Sequence, residues 1–147
     1  MCRKSQLNRL GKDARRVRRG AAVVEFAIVA PIFVIFVFGM IEYGRMVMVQ
    51  QILTNASREG ARIAVLEGST RQEVIDAVVD YCNTGRVSIT DAAVDLDPTD
   101  PATAEYGDPV TVTLNVAFRE VSWLPAPMYL GATNLTAASV MRKESSQ

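Results

Sequence analysis

A continuous apolar run near the start of the chain dominates its hydropathy pattern. Residues 21–41 contain a single charged residue, Glu25. About 20 residues of helix cross a bilayer core of about 30 Å, so the run predicts a transmembrane helix. Pro31 lies in its middle, which a membrane helix tolerates. A cleaved secretory signal is the alternative, but its apolar core would be shorter and a small-residue cleavage site would follow; here Glu42 and Arg45 follow.

The helical pattern continues beyond the apolar run. Apolar or small residues recur at spacings of three and four, with polar residues on the other faces, which is typical of an amphipathic helix. The pattern predicts that the first helix extends to about Leu66, half of it membrane-spanning and half amphipathic. The recurring positions are Met46, Val49, Ile52, Leu53, Ala56, Gly60, Ile63 and Ala64.

A second, shorter helix is predicted after a break at residues 68–70. Thr70 and Glu73 have the spacing of a capping box, in which each side chain binds the other residue's backbone N–H. The helix ends near Gly85, because glycine commonly follows the last helical residue. Its apolar side comprises Val74, Ile75, Val78, Val79 and Cys82.

The last third of the chain predicts a small antiparallel sheet of about three strands. We expect a short strand within residues 86–95 around Val87 and Ile89, and a loop over residues 97–108. Strict alternation over residues 110–119 predicts a strand with one buried face, made of Val110, Val112, Leu114, Val116 and Phe118. A connection over residues 123–127 and a final strand over residues 135–141 complete the pattern. The fold class is therefore α+β.

Charge divides the chain at Gly20. Residues 1–20 carry eight basic residues and one acidic residue, a net charge of +7, and the remaining 127 residues carry eight basic and fifteen acidic residues, a net charge of −7. Basic residues beside an apolar segment mark the cytoplasmic side. We therefore expect a flexible cytoplasmic leader (1–20), a transmembrane helix (21–41) and an extracytoplasmic α+β head (42–147) that includes the helix extension. A basic run can also bind nucleic acid, but its place beside the apolar run favours a topology signal, and no nucleic-acid partner is predicted.

The side-chain chemistry favours a protein that is not an enzyme. The chain has no histidine and only two cysteines, which excludes His-based triads and zinc sites rich in His or Cys. We predict no cofactor and no metal. Cys2 lies in the leader and Cys82 in the head, so we expect no disulfide within the chain. Cys82 is expected to be a small buried hydrophobic residue.

An acidic loop in the head offers oxygen ligands of the kind that bind calcium. Its spacing is not that of a helix–loop–helix calcium site, and its prolines favour a solvated loop, so calcium is the weaker interpretation. The acidic residues are Asp95, Asp97, Asp100, Glu105 and Asp108.

Glu25 is the candidate functional residue of the apolar segment. A charge at bilayer depth costs about 2.5–3.5 kcal/mol on insertion scales, so an intramembrane acid is a functional-site candidate. The alternative is that Glu25 lies at the headgroup level, at the start of a simple anchor.

The segments around this residue resemble two related sequence signatures. The basic residues 15–19, Gly20, and the apolar run with Glu25 resemble the processing signal of type IV prepilins. Residues 25–27, the apolar run with Pro31, residues 39–45 (Gly-Met-Ile-Glu-Tyr-Gly-Arg) and residues 54–62 (Thr-Asn-Ala-Ser-Arg-Glu-Gly-Ala-Arg) together resemble TadE-like proteins, which are minor pilin-like subunits of tight-adherence (Flp-type) pilus machines.

The resemblance implies how this chain is processed and where it acts. A prepilin-type peptidase would cut between Gly20 and Ala21 in the bacterial inner membrane, and Glu25 with Phe26 would serve assembly. If the cut occurs, the new amine of Ala21 lies about one helical turn from Glu25 and can neutralise the glutamate of a neighbouring subunit. The implied partners are the peptidase, other pilin-like subunits, inner-membrane pilus assembly proteins and the lipid bilayer.

Four further residues match the motif blocks without an assigned role: Glu42, Tyr43, Gly60 and Arg62. The predicted function is a non-enzymatic, single-pass pseudopilin of a tight-adherence pilus assembly or secretion system, with a pilin-like fold. The alternative is a membrane-anchored extracytoplasmic binding module with an uncleaved signal anchor, which would need neither Gly20 nor Glu25.

Overall fold

The computed structural model describes residues 3–122 and 130–144, with side chains from Ala22 onward. Three helices, α1 (Arg3–Ala64), α2 (Arg71–Thr84) and α3 (Phe118–Val121), accompany a sheet of three strands, β1 (Val94–Asp97), β2 (Pro109–Ala117) and β3 (Asn134–Arg142). The predicted α+β fold class is confirmed. The chain forms two compact units, Met1–Met40 and Ile41–Gln147, and we call the second unit the head.

Helix α1 has 62 residues and contains Pro31. The predicted continuation past Glu42 is confirmed, and the helix ends at Ala64, two residues before the predicted end. Residues 3–20, for which the sequence predicted no regular structure, are helical. The physical reason lies in their composition: Arg, Lys, Leu, Gln and Ala are good helix formers, and no proline interrupts them.

The N-terminus of α2 is fixed by the predicted capping box. The Glu73 amide donates to the Thr70 hydroxyl over 3.3 Å, and the Thr70 amide donates to the Glu73 carboxylate over 2.9 Å. These two bonds satisfy backbone donors that the first helical turn leaves without partners. The helix buries Val74, Ile75, Val78 and Cys82, as its periodicity predicts.

The sheet has the order β1-β2-β3, and both pairs are antiparallel. Leu114 of β2 faces Val94 of β1 on one side and Ala137 of β3 on the other. The predicted inward residues of β2 are all buried, including Phe118, although the strand ends at Ala117 and Phe118 begins α3. The predicted last strand is confirmed as β3.

The first strand lies later in the chain than predicted. The Val87 amide donates to the carbonyl of Cys82 over 2.9 Å, and Arg86 has a positive φ of 57°. Residues 86 and 87 therefore belong to the turn that ends α2, and Ile89 is not in a strand either. The strand forms instead at Val94–Asp97. The predicted connection over residues 123–127 lies outside the described residues.

The core of the head lies between α1, α2 and the inner face of the sheet. At Gly60, α1 lies very close to α2 and β2, because a Cβ atom at this position would lie 2.5 Å from Val78 Cγ2 and 3.3 Å from Val112 Cγ1. A methyl group would therefore collide with α2 and crowd β2. Only glycine allows α1 to pack at this depth.

Lys143, just after β3, closes the C-terminal end of α1. The residue is 8% exposed, and its Nζ donates to the carbonyls of Leu66 (2.9 Å), Pro101 (3.2 Å) and Ala64 (3.3 Å). The last carbonyls of a helix lack partners within the helix, and a cation near them is favourable. Lys143 thus ties the end of β3 to α1 and to the loop before β2.

Candidate assembly segment

The apolar part of α1 is largely exposed. Most large apolar side chains from Val23 to Phe38 are about half exposed or more, and Phe26 reaches 71%. None of the most apolar window of this helix is buried in the protein. A helix that is apolar all round requires lipid or other helices around it. Among the described residues, α1 is the one helix long and apolar enough to cross a membrane, so it can serve as a membrane anchor.

Glu25 and Phe26 lie on this uncovered segment, and both side chains are exposed. Glu25 forms no hydrogen bond or ion pair with the residues whose side chains are described. Gly20 and Ala21 are in the same helix, one turn before Glu25; their surroundings lie outside the described side chains. Glu25 is thus an exposed carboxylate within the apolar part of α1.

Glu42 has a different environment, although it also lies in α1. The residue is 1% exposed, and its Oε1 accepts a hydrogen bond from the Leu130 amide over 2.6 Å. A buried carboxylate is stable only when it is hydrogen-bonded or paired. Glu42 therefore holds the chain that leads into β3 against α1. Tyr43, its neighbour in the motif, is exposed.

Arg45 makes a second attachment one turn later. Its guanidinium donates to the carbonyl of Val121 over 3.1 Å and to that of Arg86 over 3.3 Å. Sequence reasoning included Arg45 in a motif block but did not single it out as a site residue. The signal that could have identified it is its spacing of three from Glu42, which brings both side chains towards one side of the helix.

Three further residues of α1 contact the rest of the head: Gln50, Ser57 and Gly60. Ser57 is fully buried, and its hydroxyl lies 2.9 Å from the Ser139 hydroxyl of β3. Gln50 donates to the Thr136 carbonyl of the same strand over 2.9 Å. Together with the tight packing at Gly60, these bonds fix the position of α1 along the sheet.

Arg62 is paired within its own helix. Its Nη2 and Nε donate to the two carboxylate oxygens of Glu59 over 2.6 and 3.0 Å. The hydrogen bond from Arg62 lowers the pKa of Glu59, and the same bond raises the pKa of Arg62. An exposed ion pair of this kind contributes little to stability. Arg62 therefore belongs to the solvated face of α1.

The acidic loop of the head uses two of its carboxylates in local turns. The Asp100 side chain accepts from the Ala102 amide and the Asp108 side chain from the Glu105 amide, each over 3.0 Å. Over the described part of the chain, no three His, Cys, Asp or Glu side chains are placed to hold a metal ion. Cys82 is buried, as predicted.

Comparison with known families gave one match. The family model described as TadE-like protein matches residues 20–62. The match begins at Gly20 and covers the apolar segment, Glu42, Arg45 and Gly60, and the resemblance drawn from the motif blocks is confirmed over this range. Comparison with curated proteins and with solved structures gave no match.

Proposed function

We propose that this chain, matched to the TadE-like family over residues 20–62, is a pilin-like minor subunit of a tight-adherence pilus assembly or secretion system. It is inserted in the bacterial inner membrane with residues 1–20 in the cytoplasm and the head outside. A prepilin-type peptidase removes the leader by cutting between Gly20 and Ala21. The processed subunit then assembles with other pilin-like subunits and with inner-membrane assembly proteins.

The observation that carries this proposal is the extent of the family match. It starts at the glycine where the leader would be removed, and it includes the whole apolar segment and the part of α1 that packs on the head. A simple membrane anchor requires an apolar helix but neither a glycine at this boundary nor an acid inside the helix. The charge difference on the two sides of the segment supports the orientation.

Glu25 has a specific part in this proposal. Its carboxylate is costly in hydrocarbon unless a cation accompanies it. Cleavage would create such a cation, the amine of Ala21, on every subunit. Within one helix the amine and the carboxylate are a turn apart, and between neighbouring helices they can pair. Assembly would then remove the cost that an isolated subunit bears, which favours the assembled state.

The head has a supporting part and no catalytic one. The TadE-like family consists of pilus structural components, and we assign this chain the same kind of role. The contacts of Glu42, Arg45 and Ser57 place the head on the second half of α1. In the proposed function, the second half of α1 therefore carries the head outside the cytoplasm in each subunit.

The proposal is tested by determining whether the chain is cut after Gly20. In cells that make the peptidase, intact-mass and N-terminal analysis of the membrane-extracted protein should give Ala21 as the first residue. Gly20→Leu should block the cut, because a bulky side chain replaces the small residue at the boundary. Gly11→Leu, a matched change within the leader, should leave it intact. A full-length mature chain in cells that make pili would instead support the membrane-anchored binding module.

A further inference from the structure

Strand β3 forms one edge of the sheet, and its backbone groups on that side point away from β2. The sheet order is β1-β2-β3, so no described strand lies beyond β3. The Lys143 amide donates to the Asp108 carbonyl over 2.9 Å. Bonded and non-bonded pairs alternate along an antiparallel ladder. The N–H and C=O groups of Ala138, Val140 and Arg142 are therefore directed outward.

Two contacts of α1 mark the ends of the uncovered part of this edge. Gln50 donates to the Thr136 carbonyl over 2.9 Å, and the Glu144 amide donates to the Val65 carbonyl over 3.3 Å. Between these contacts, every second side chain is exposed, and the outward backbone groups have no partner among the described residues. We call residues 138–142 the free edge of β3.

The opposite edge of the sheet is protected in a way that the free edge is not. Strand β1 has four residues, and its exposed side chains are Asp95 and Asp97. Short length and charge are common means by which sheet edges avoid pairing. Strand β3 has nine residues, and Val140 is 61% exposed. Unpaired backbone groups on such an edge recognise an extended peptide segment, which adds a strand to the sheet.

A cation of α1 lies beside the free edge. Arg58 is exposed and forms no hydrogen bond or ion pair with the described residues. It follows Ser57, whose hydroxyl lies 2.9 Å from the Ser139 hydroxyl of β3, and it is on the side of α1 away from the core residue Leu53. A segment paired with β3 would pass next to this guanidinium, so charge complementarity favours a carboxylate at that point.

A cavity of about 670 Å³ adjoins the end of the free edge. Its apolar lining comes from Val65, Tyr106 and Met141, and Tyr106 is 78% exposed. Arg142 and Glu144 also line the cavity, one of each charge, so a charged side chain gains little there. An apolar side chain would instead cover apolar surface that the head leaves exposed, which is favourable.

We propose that the free edge of β3 binds an extended acidic segment of another protein, paired antiparallel with residues 138–142. Alternate side chains of a strand share a face. An apolar residue beside the cavity therefore precedes, by two positions, the carboxylate beside Arg58. A second copy offering its own β3 is the less favourable occupant, because β3 contains no acidic residue and would bring further arginines to the same edge.

Binding of a defined peptide to the full chain in detergent micelles tests the proposal. The probe is a fluorescent, terminally blocked peptide of sequence Thr-Thr-Leu-Thr-Glu-Thr-Thr, in which threonine favours extended backbone. Val140→Pro removes one outward N–H and leaves the hydrogen bonds between β2 and β3 in place. It should weaken binding about tenfold in fluorescence anisotropy. Val140→Thr retains the N–H and should bind like the unchanged chain.

A charge exchange tests the role of Arg58. Arg58→Glu should weaken binding of the peptide about fivefold, and it should strengthen binding of the same peptide with lysine in place of glutamate by about the same factor. Arg119→Glu, the same change at an exposed arginine of α3, should alter neither affinity. Both changes are at exposed side chains, so the head should remain folded.

The proposal is wrong if neither Val140→Pro nor Arg58→Glu alters the affinity, because the peptide would then bind elsewhere, such as on the basic leader. Absence of binding would also overturn it. A chain that is dimeric in micelles and becomes monomeric on Val140→Pro would show that a second copy covers the free edge, which contradicts the proposal as well. The test involves neither leader cleavage nor pili, so each of these results leaves the proposed function standing.

Discussion

Two glycines of α1, Gly44 and Gly60, lie in opposite surroundings. Gly60 faces Val78 and Val112 at contact distance, whereas Gly44 faces open space. Gly60→Ala should lower the free energy of unfolding by about 1–3 kcal/mol, because overpacking forces the neighbours apart. Gly44→Ala should raise it by about 0.5–1 kcal/mol through helix propensity. Thermal unfolding of the detergent-solubilised chain checks both; equal shifts of the same sign would contradict this packing.

Cys82 should be an unreactive thiol. Burial raises its pKa from 9.0 to about 11, and the thiolate is the reactive form. At pH 8, a maleimide should label Cys82 in the Cys2→Ser chain only after denaturation. Labelling of the native chain at the rate of a free thiol would show that the head opens readily.

The same pKa shift predicts a pH dependence of stability. Between pH 9 and about 11 the unfolded chain releases the thiol proton and the folded chain retains it. The free energy of unfolding should therefore fall as pH rises through this window, and the contribution should be complete below pH 9. Cys82→Ala should show a smaller fall over the same window, and the difference between the two chains measures the contribution of this thiol. An identical fall in both chains would contradict the assignment.

At the scale of elements, the end of α1 depends on a residue 79 positions away in the sequence. Lys143 donates to three carbonyls while almost fully buried. Lys143→Met keeps the apolar stem and removes the three hydrogen bonds, so it should lower the free energy of unfolding by about 2–4 kcal/mol. Arg142→Met, at the exposed neighbour whose side chain donates to the Gly107 carbonyl, should be nearly neutral. Urea unfolding compares the two, and equal effects would show that the buried ammonium adds nothing.

Elements with a strong local signal were predictable from the sequence. The capping box of α2 depends on residues three apart, and the buried face of β2 on strict alternation. The position of β1 was not predictable, because a four-residue edge strand is stabilised by its partner. Val94 and Leu96 lie opposite Leu114 and Val112, and this pairing outweighs the β propensity of Val87.

The residues of the candidate segment could be proposed from the sequence only where they lie close together along the chain. The sequence alone contains the pattern formed by Gly20, Glu25 and the apolar run. The roles of Glu42 and Gly60 were not accessible, since their partners, Leu130, Val78 and Val112, come from distant elements. Lys143 carried no signal, because lysine is almost never fully buried unless other groups satisfy it.

For the whole molecule, the charge distribution predicts one orientation. In spheroplasts without the peptidase and in a Cys2→Ser chain, an impermeant maleimide should label Thr103→Cys in the exposed loop before β2 and should not label Ser5→Cys. This expectation follows because basic residues beside an apolar segment favour the cytoplasmic side. The reverse labelling pattern would contradict the orientation and the pilin-like function with it.

The most direct test of the central claim concerns Glu25. If Glu25 pairs with the amine of a neighbouring subunit, Glu25→Ala and Glu25→Gln should leave membrane abundance unchanged and reduce surface pilus yield. The matched control Glu105→Ala, at an exposed carboxylate of the head, should change neither. The measurement is membrane-fraction abundance beside pilus yield for each variant. Reduced yield at normal abundance is the predicted result; normal yield in Glu25→Ala at normal abundance would make Glu25 a boundary residue and favour the anchored binding module.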